Sequence, residues 1–158
     1  MTISATPPDD GKSTIDATAT AALQDALATE HAALWCYSLA VAFLPRDQAQ
    51  QARGDIDAHR TLRGAVEQTL TQVGAKPVSA QPAYATPQPV VDGPSAAGLA
   101  VVAETDALAA WRSVLERTTD KGLRKAALKA LTETTLRCAR WRKITNTAPT
   151  IPTFPGRP

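Results

Sequence analysis

The feature that most constrains this chain is a proline-rich connection, residues 76–94, between two pairs of periodic segments. Its 19 residues include five prolines, and such a composition favours an extended, semi-rigid path over a helix or a central strand. At about 3.1 Å per residue it can reach roughly 55 Å, whereas a helix of about 28 residues is roughly 42 Å long. The connection can therefore cross the full length of the helices that flank it.

Apolar spacing and capping residues predict four helices, over residues 16–44, 47–73, 95–119 and 121–144. The link at Pro45 is so short that the first two helices should form an antiparallel hairpin, and the short link near Asp120 predicts a second hairpin. Aromatic residues make up only 4% of the chain, which argues against an all-β fold. The sequence predicts an all-α fold, a four-helix bundle over residues 16–145 in which the crossover lets the second and third helices run parallel.

Both ends of the chain are expected to lie outside the bundle. Residues 1–15 should form a flexible arm, and residues 146–158, with four prolines, should form an extended tail. No signal peptide and no apolar run long enough to span a bilayer is visible, so we expect a cytoplasmic protein with no membrane partner. Cys36 and Cys138 lack metal-ligand spacing and are predicted to be small buried residues, with a disulfide as the alternative.

A carboxylate interrupts the apolar seam of the first helix. In this helix, residues spaced alternately four and three apart lie along one side and form the seam. All of them are apolar or aromatic except Glu30, so Glu30 is expected in the core. Glu104 takes the same place in the third helix. Each glutamate is followed seven residues later by an aromatic residue, Tyr37 or Trp111. The two seams therefore share one pattern.

The offset of 74 residues between the two glutamates holds elsewhere in the chain. It aligns "HRTLR" (residues 59–63) with "ETTLR" (residues 133–137). Alanine matches are common in a chain this rich in alanine, but matched glutamates, matched aromatics and a shared TLR triplet are not. The two hairpins are predicted to be a duplicated unit with a pseudo-two-fold relation.

These features resemble the ferritin-like superfamily over about residues 16–145. The motifs that carry the resemblance are "EHAALWCYSL" (residues 30–39), "AHRTLR" (58–63) and the "YATPQPV" crossover (84–90). Within the superfamily, the chain is most similar to a poorly characterised family of actinobacterial ferritin-like proteins known only as a domain of unknown function. The resemblance implies a carboxylate-bridged di-iron or di-manganese site, built from one Glu on each of two helices and a Glu-x-x-His on each of the others.

This chain keeps only part of that ligand pattern. Glu30 and Glu104 match the single-glutamate positions, but no Glu-x-x-His occurs in the chain. His59 lacks a glutamate three residues before it, and Glu133 lacks a histidine three residues after it. The only other histidine, His31, lies about 100° around the helix from Glu30 and is expected outside the seam. The site that the family implies is therefore incomplete here.

Counting residues from the turns indicates which groups lie at the same depth. Glu30 can meet His59 or Arg63, and Glu104 can meet Glu133 or Arg137. Arginine can pair with a buried carboxylate through two hydrogen bonds, and its fixed positive charge repels a dication. We therefore predict a metal-free core with the ion pairs Glu30–Arg63 and Glu104–Arg137. The alternative is a degenerate iron or manganese site made of Glu30, His59, Glu104 and Glu133.

Two classes of function follow. The first is a non-catalytic scaffold without a cofactor, expected to be a homodimer that binds an unknown protein or small molecule. The second is a metal-dependent oxidoreductase or metal-storage protein. The net charge of +2 and the lack of a phosphate-binding loop argue against a nucleic-acid partner. Residues 121–143 contain eight Lys or Arg and one acid; we expect a solvated face there, with polyanion binding as the alternative.

Overall fold

The computed structural model describes residues 15–157. Within that range the protein is all-α, with four helices and no strand, which confirms the prediction of an all-α protein with four helices. The helices are α1 (Ala17–Ala40), α2 (Arg46–Gln72), α3 (Gly93–Arg117) and α4 (Lys121–Ile144). The arm predicted for residues 1–15 lies outside the described residues, apart from Ile15. None of the four helices is both long enough and apolar enough to cross a membrane.

Local capping chemistry sets three of the helix starts. The side chain of Asp16 accepts a hydrogen bond from the Ala19 amide at 2.8 Å, and that of Asp120 accepts one from the Leu123 amide at 2.7 Å. Asp92 forms a reciprocal capping box at the start of α3. These side chains satisfy backbone amides that have no partner within the helix.

The first helix ends at Ala40, four residues before the predicted boundary at Leu44. The next amides, of Ala42 and Phe43, donate to carbonyls three residues earlier, so the helix tightens into a turn before Pro45. The third helix has its predicted length but lies two residues earlier in the chain, since it starts at Gly93 and ends at Arg117 instead of spanning 95–119. Apolar periodicity marks the middle of a helix better than its ends.

The inner helices are α1 and α3. They pack against each other, while α2 packs against α1 and α4 against α3. The core consists of two apolar clusters. One cluster contains residues 33–44, from α1 and the turn that follows it, together with residues 96–103 of α3. The other contains residues 19–27 of α1 together with residues 107–114 of α3. The positions of Glu30 and Glu104 fall between the two clusters on both helices.

The proline-rich crossover lies against α1. The side chain of Gln24 accepts a hydrogen bond from the Val78 amide at 2.9 Å, and His31 Nε2 lies 3.1 Å from the Val78 carbonyl oxygen. Further along, the ring of Tyr84 lies 6.0 Å from that of Trp35. His31 is therefore used to hold the crossover, which keeps it apart from Glu30.

The C-terminal residues fold back onto α3, which corrects the prediction of an extended tail for residues 146–158. Arg112 Nη1 donates to the Pro155 carbonyl oxygen at 3.1 Å. The next residue, Gly156, has a φ of 81° and lies so close to α3 that a Cβ atom would collide with the Leu108 carbonyl oxygen. Only glycine combines that backbone conformation with that close approach.

Candidate functional site

Two glutamates lie at the centre of the core, between the apolar clusters. Glu30 on α1 and Glu104 on α3 are both completely inaccessible to solvent (0% exposed). Both are therefore in the core, as the seam pattern predicts. A buried carboxylate without partners is strongly disfavoured, so the groups around the two glutamates determine whether this core is stable.

His59 on α2 joins the two glutamates. Its Nδ1 atom lies 2.6 Å from Glu30 Oε2, and its Nε2 atom lies 3.1 Å from Glu104 Oε1. The imidazole is fully buried, so water offers no alternative partner. A neutral imidazole donates from only one nitrogen, whereas the protonated ring donates from both. Two carboxylate acceptors therefore favour the imidazolium form of His59.

The aromatic residues of the repeated pattern complete the network by crossing between the two seams. Trp111 Nε1 donates to Glu30 Oε1 at 2.7 Å, and the Tyr37 hydroxyl donates to Glu104 Oε1 at 2.7 Å. Each aromatic residue follows one glutamate in the sequence but donates its hydrogen bond to the other: Tyr37 follows Glu30 and donates to Glu104, and Trp111 does the reverse. The sequence pattern put both rings in the seams but did not identify them as hydrogen-bond donors to the glutamates. The recurring spacing of seven residues was the signal that could have identified them as partners.

Arg137 on α4 supplies the second cation. Its Nε atom lies 3.1 and 3.2 Å from the two carboxylate oxygens of Glu104, and its Nη2 atom donates to Thr134 Oγ1 at 2.8 Å. The pairing of Glu104 with Arg137 thus agrees with the sequence prediction. With His59 protonated, two carboxylates face one imidazolium and one guanidinium, so the formal charges within the network cancel.

The pKa shifts follow from this geometry. Burial alone would lower the pKa of His59, but the hydrogen bonds and charges of Glu104 and Glu30 outweigh it and raise that pKa to about 9. Burial opposes the charged form of Glu104, yet His59 and Arg137 hold its pKa below the ordinary value. Burial and the nearby Glu104 raise the pKa of Tyr37 well above the usual range. At neutral pH, Tyr37 is therefore a neutral donor to a charged carboxylate.

Arg63 does not meet Glu30, and that predicted ion pair is wrong. The Arg63 side chain is 39% exposed, and its Nε atom lies 3.9 Å from Glu67 Oε1 on the same helix. About two turns beyond His59, α2 packs through Val66 into the apolar cluster that contains residues 19–27 of α1. That cluster offers no partner for a guanidinium. A long charged side chain there reaches towards water, and His59 takes the place beside Glu30.

Glu133 also lies outside the network, contrary to its predicted place in a degenerate metal site. Its side chain is 49% exposed and pairs with Lys129 at 3.7 Å. Successive helical residues are rotated by about 100°, and it is the next residue, Thr134, that faces the core. Counting depth along the helix predicted the level of Glu133 but not its direction.

The residues present do not fit the bridged two-metal site that the family resemblance implies. No Glu-x-x-His accompanies the two glutamates, and both ring nitrogens of His59 are directed at carboxylates. Arg137 contacts both oxygens of Glu104. Between residues 15 and 157, no group of three or more His, Cys, Asp or Glu is arranged to hold a metal ion.

A third buried carboxylate, Asp55, lies one helical turn before His59. Asp55 Oδ1 accepts a hydrogen bond from Arg140 Nη2 at 2.9 Å, and its Oδ2 accepts one from Trp141 Nε1 at 2.9 Å. Burial raises the pKa of Asp55, and these two donors oppose that rise. The Trp141 ring lies 6.0 Å from that of Tyr37. The two hydrogen bonds to Asp55 link α2 to α4, and they were not predicted from the sequence.

Comparisons with known proteins identify the family of this chain. The sequence pattern of the domain of unknown function DUF4439 matches residues 22–158. The crystal structure of a conserved hypothetical protein, rv2844, from Mycobacterium tuberculosis is similar, with a TM-score of 0.78 and 34% sequence identity over 82% of this chain and 98% of that one. A search of curated proteins gave no match. The family match spans most of the chain and every residue of the buried network, and the chain therefore belongs to the DUF4439 family.

Proposed function

We propose that this protein is a non-catalytic helical scaffold, a ferritin-like four-helix bundle of two antiparallel hairpins whose core is held by metal-free ion pairs. Support comes from the network of Glu30, His59, Glu104 and Arg137, to which all four helices contribute. The reciprocal hydrogen bonds of Tyr37 and Trp111 support a pseudo-two-fold duplication of the hairpin.

The observation that carries this proposal is that protein donors satisfy both glutamates. The two oxygens of Glu30 accept from Trp111 and His59, and both oxygens of Glu104 accept from Arg137. A metal ion would have to displace Arg137 and take the proton of His59. Hydrogen-bonded, charge-balanced groups of this kind can remain buried, which supports a core that is stable without a metal.

Accessibility also supports a structural role. Glu30, His59 and Glu104 have no solvent-exposed surface, so a substrate could reach them only if the helices separated. The open cavity of about 860 Å³ beside α3 is lined by the crossover and the first turns of α3, and its walls include no network residue. Catalysis requires contact between a reacting group and its substrate, and this packing does not provide it.

Metal loading tests the proposal. The purified chain would be incubated with Fe(II) and, separately, with Mn(II), passed through a desalting column, and analysed for metal by mass spectrometry. We expect far less than one metal per chain, and no difference between the native protein and a Glu30→Gln variant. Stoichiometric metal that disappears in Glu30→Gln would contradict the proposal and favour a di-iron or di-manganese oxidoreductase or storage protein. Circular dichroism would verify that both proteins are folded.

The homodimer stays a prediction, as do the protein or small-molecule partner and the cytoplasmic location. Sedimentation equilibrium of the full chain tests the dimer directly. A mass that stays at one chain over the accessible concentration range would contradict it.

A further inference from the structure

The outward side of α4 carries an unusual combination of residues. Its buried side includes Leu123, Ala127 and Trp141, and the helix packs mainly against α3. The opposite side is exposed along its whole length; this outer face of α4 consists of Lys121, Lys125, Leu128, Lys129, Thr132, Leu136, Arg140 and Lys143. With 1.5 Å per residue, the face is about 35 Å long.

The positive charge on this face is only partly neutralised. Lys129 pairs with Glu133, and Arg140 pairs with Asp55. Within the described residues, the other three lysines, at positions 121, 125 and 143, have no carboxylate within ion-pair distance. The face therefore has a strong positive charge, although the net charge of the chain is only +2.

Two leucines lie between the cations. Leu128 and Leu136 are each 54% exposed and are eight residues apart on α4, or about 12 Å. Large apolar side chains flanked by lysines on one helix face are typical of helices that bind at a membrane interface, where lysine tails reach the headgroups and leucines enter the boundary with the acyl chains.

We propose that the outer face of α4 binds the surface of an anionic lipid bilayer. A nucleic acid would place the two leucines against phosphates, with no exposed aromatic ring on α4 available for base stacking. A second copy of the same face would be repelled by like charge. A protein partner usually anchors a large side chain in a pocket, and the cavity of about 860 Å³ lies at the crossover and α3 rather than on this face.

The contact would be peripheral, since no helix within residues 15–157 could span the bilayer. The sequence predicts no membrane partner because it lacks a spanning segment, but binding at the surface of a bilayer requires no such segment. Each Lys or Arg close to an anionic leaflet contributes a factor of about five to partitioning. Removal of the three unpaired lysines should therefore weaken binding by about a hundredfold, and added salt should weaken it further.

Vesicle sedimentation of the full chain tests this proposal. Vesicles of equal parts phosphatidylserine and phosphatidylcholine would be compared with pure phosphatidylcholine vesicles at low salt. The test variant combines Lys121→Gln, Lys125→Gln and Lys143→Gln. A matched control removes three exposed cations elsewhere that also have no ion-pair partner among the described residues: Arg46→Gln, Arg53→Gln and Lys76→Gln. The two variants have the same net charge, so only the position of the lost charge differs between them.

We expect binding to the anionic vesicles alone, about a hundredfold loss in the α4 variant and a loss of only a few-fold in the control. A Leu128→Ser, Leu136→Ser variant should also bind less, with unchanged helicity. No binding by the native chain, or equal losses in the two lysine variants, would overturn the proposal. If binding is unaffected by the leucine changes and duplex DNA binds equally well, the face is a general polyanion surface and the lipid assignment is wrong.

Discussion

Replacing Arg137 with methionine should destabilise the protein by about 3–5 kcal/mol. The change removes the contacts of Arg137 Nε with both oxygens of Glu104 and its hydrogen bond to Thr134. The remaining buried groups, two carboxylates and the imidazolium of His59, would have a net charge of −1. Breaking a buried ion pair on one side is costly because the remaining charge has lost its partner without regaining water.

The chain offers a matched control for this experiment. Arg63 is related to Arg137 by the offset of 74 residues, but its side chain is 39% exposed. Arg63→Met should therefore change the free energy of unfolding by less than about 0.5 kcal/mol. Urea unfolding followed by circular dichroism measures both variants, and the difference between their midpoints is the informative quantity. Comparable destabilisation by the two substitutions would refute the assignment of Arg137 as the buried counter-ion.

A double-mutant cycle separates charge pairing from packing. In a Glu104→Gln background the carboxylate is already neutral, so Arg137→Met should cost less there than in the native chain. The expected difference, about 2 kcal/mol or more, is the coupling energy of the buried pair. If Arg137→Met costs the same in both backgrounds, its effect comes from lost packing and the charge argument fails.

Three further predictions concern pH, an aromatic donor and the C-terminal residues. The folded pKa of His59, about 9, lies above its ordinary value of 6.5. Its contribution to the free energy of unfolding, roughly 3 kcal/mol, should therefore be complete below pH 6.5 and lost as the pH rises through 9. Urea unfolding midpoints across this range test the prediction, and a midpoint that does not fall on the alkaline side would contradict it. Trp111→Phe leaves Glu30 Oε1 without its 2.7 Å donor and should cost about 1–3 kcal/mol; an unchanged unfolding midpoint would mean that this bond is not formed. Gly156→Ala should make the C-terminal residues more susceptible to limited proteolysis, because the added methyl group collides with α3. Gly98→Ala, where a Cβ meets nothing within 4 Å, should leave cleavage unchanged. Equal cleavage of the native and Gly156→Ala proteins would contradict the close approach of Gly156 to α3.

The seam pattern placed the two glutamates correctly but could not specify their partners. The spacing of three and four residues put Glu30 and Glu104 in the core, and both are fully buried. The partner of Glu30 depends on the rotation of α2 about its own axis. His59 and Arg63 are one turn apart and within about 40° of each other, so residue counting allowed either one. The adjoining apolar contacts of Val66 select the rotation that buries His59.

The features that the sequence determined by itself are those that depend on local interactions. Helical periodicity, caps and prolines act over a few residues, so the four helices, the long crossover and the buried level of the two glutamates could all be predicted without a structure. Hydrogen-bond partners across the core depend on how whole helices rotate and approach, to within a fraction of an ångström. Only the tertiary structure could decide that Tyr37 and Trp111 cross to the opposite glutamates, that Arg63 and Glu133 face solvent, and that Gly156 returns to α3.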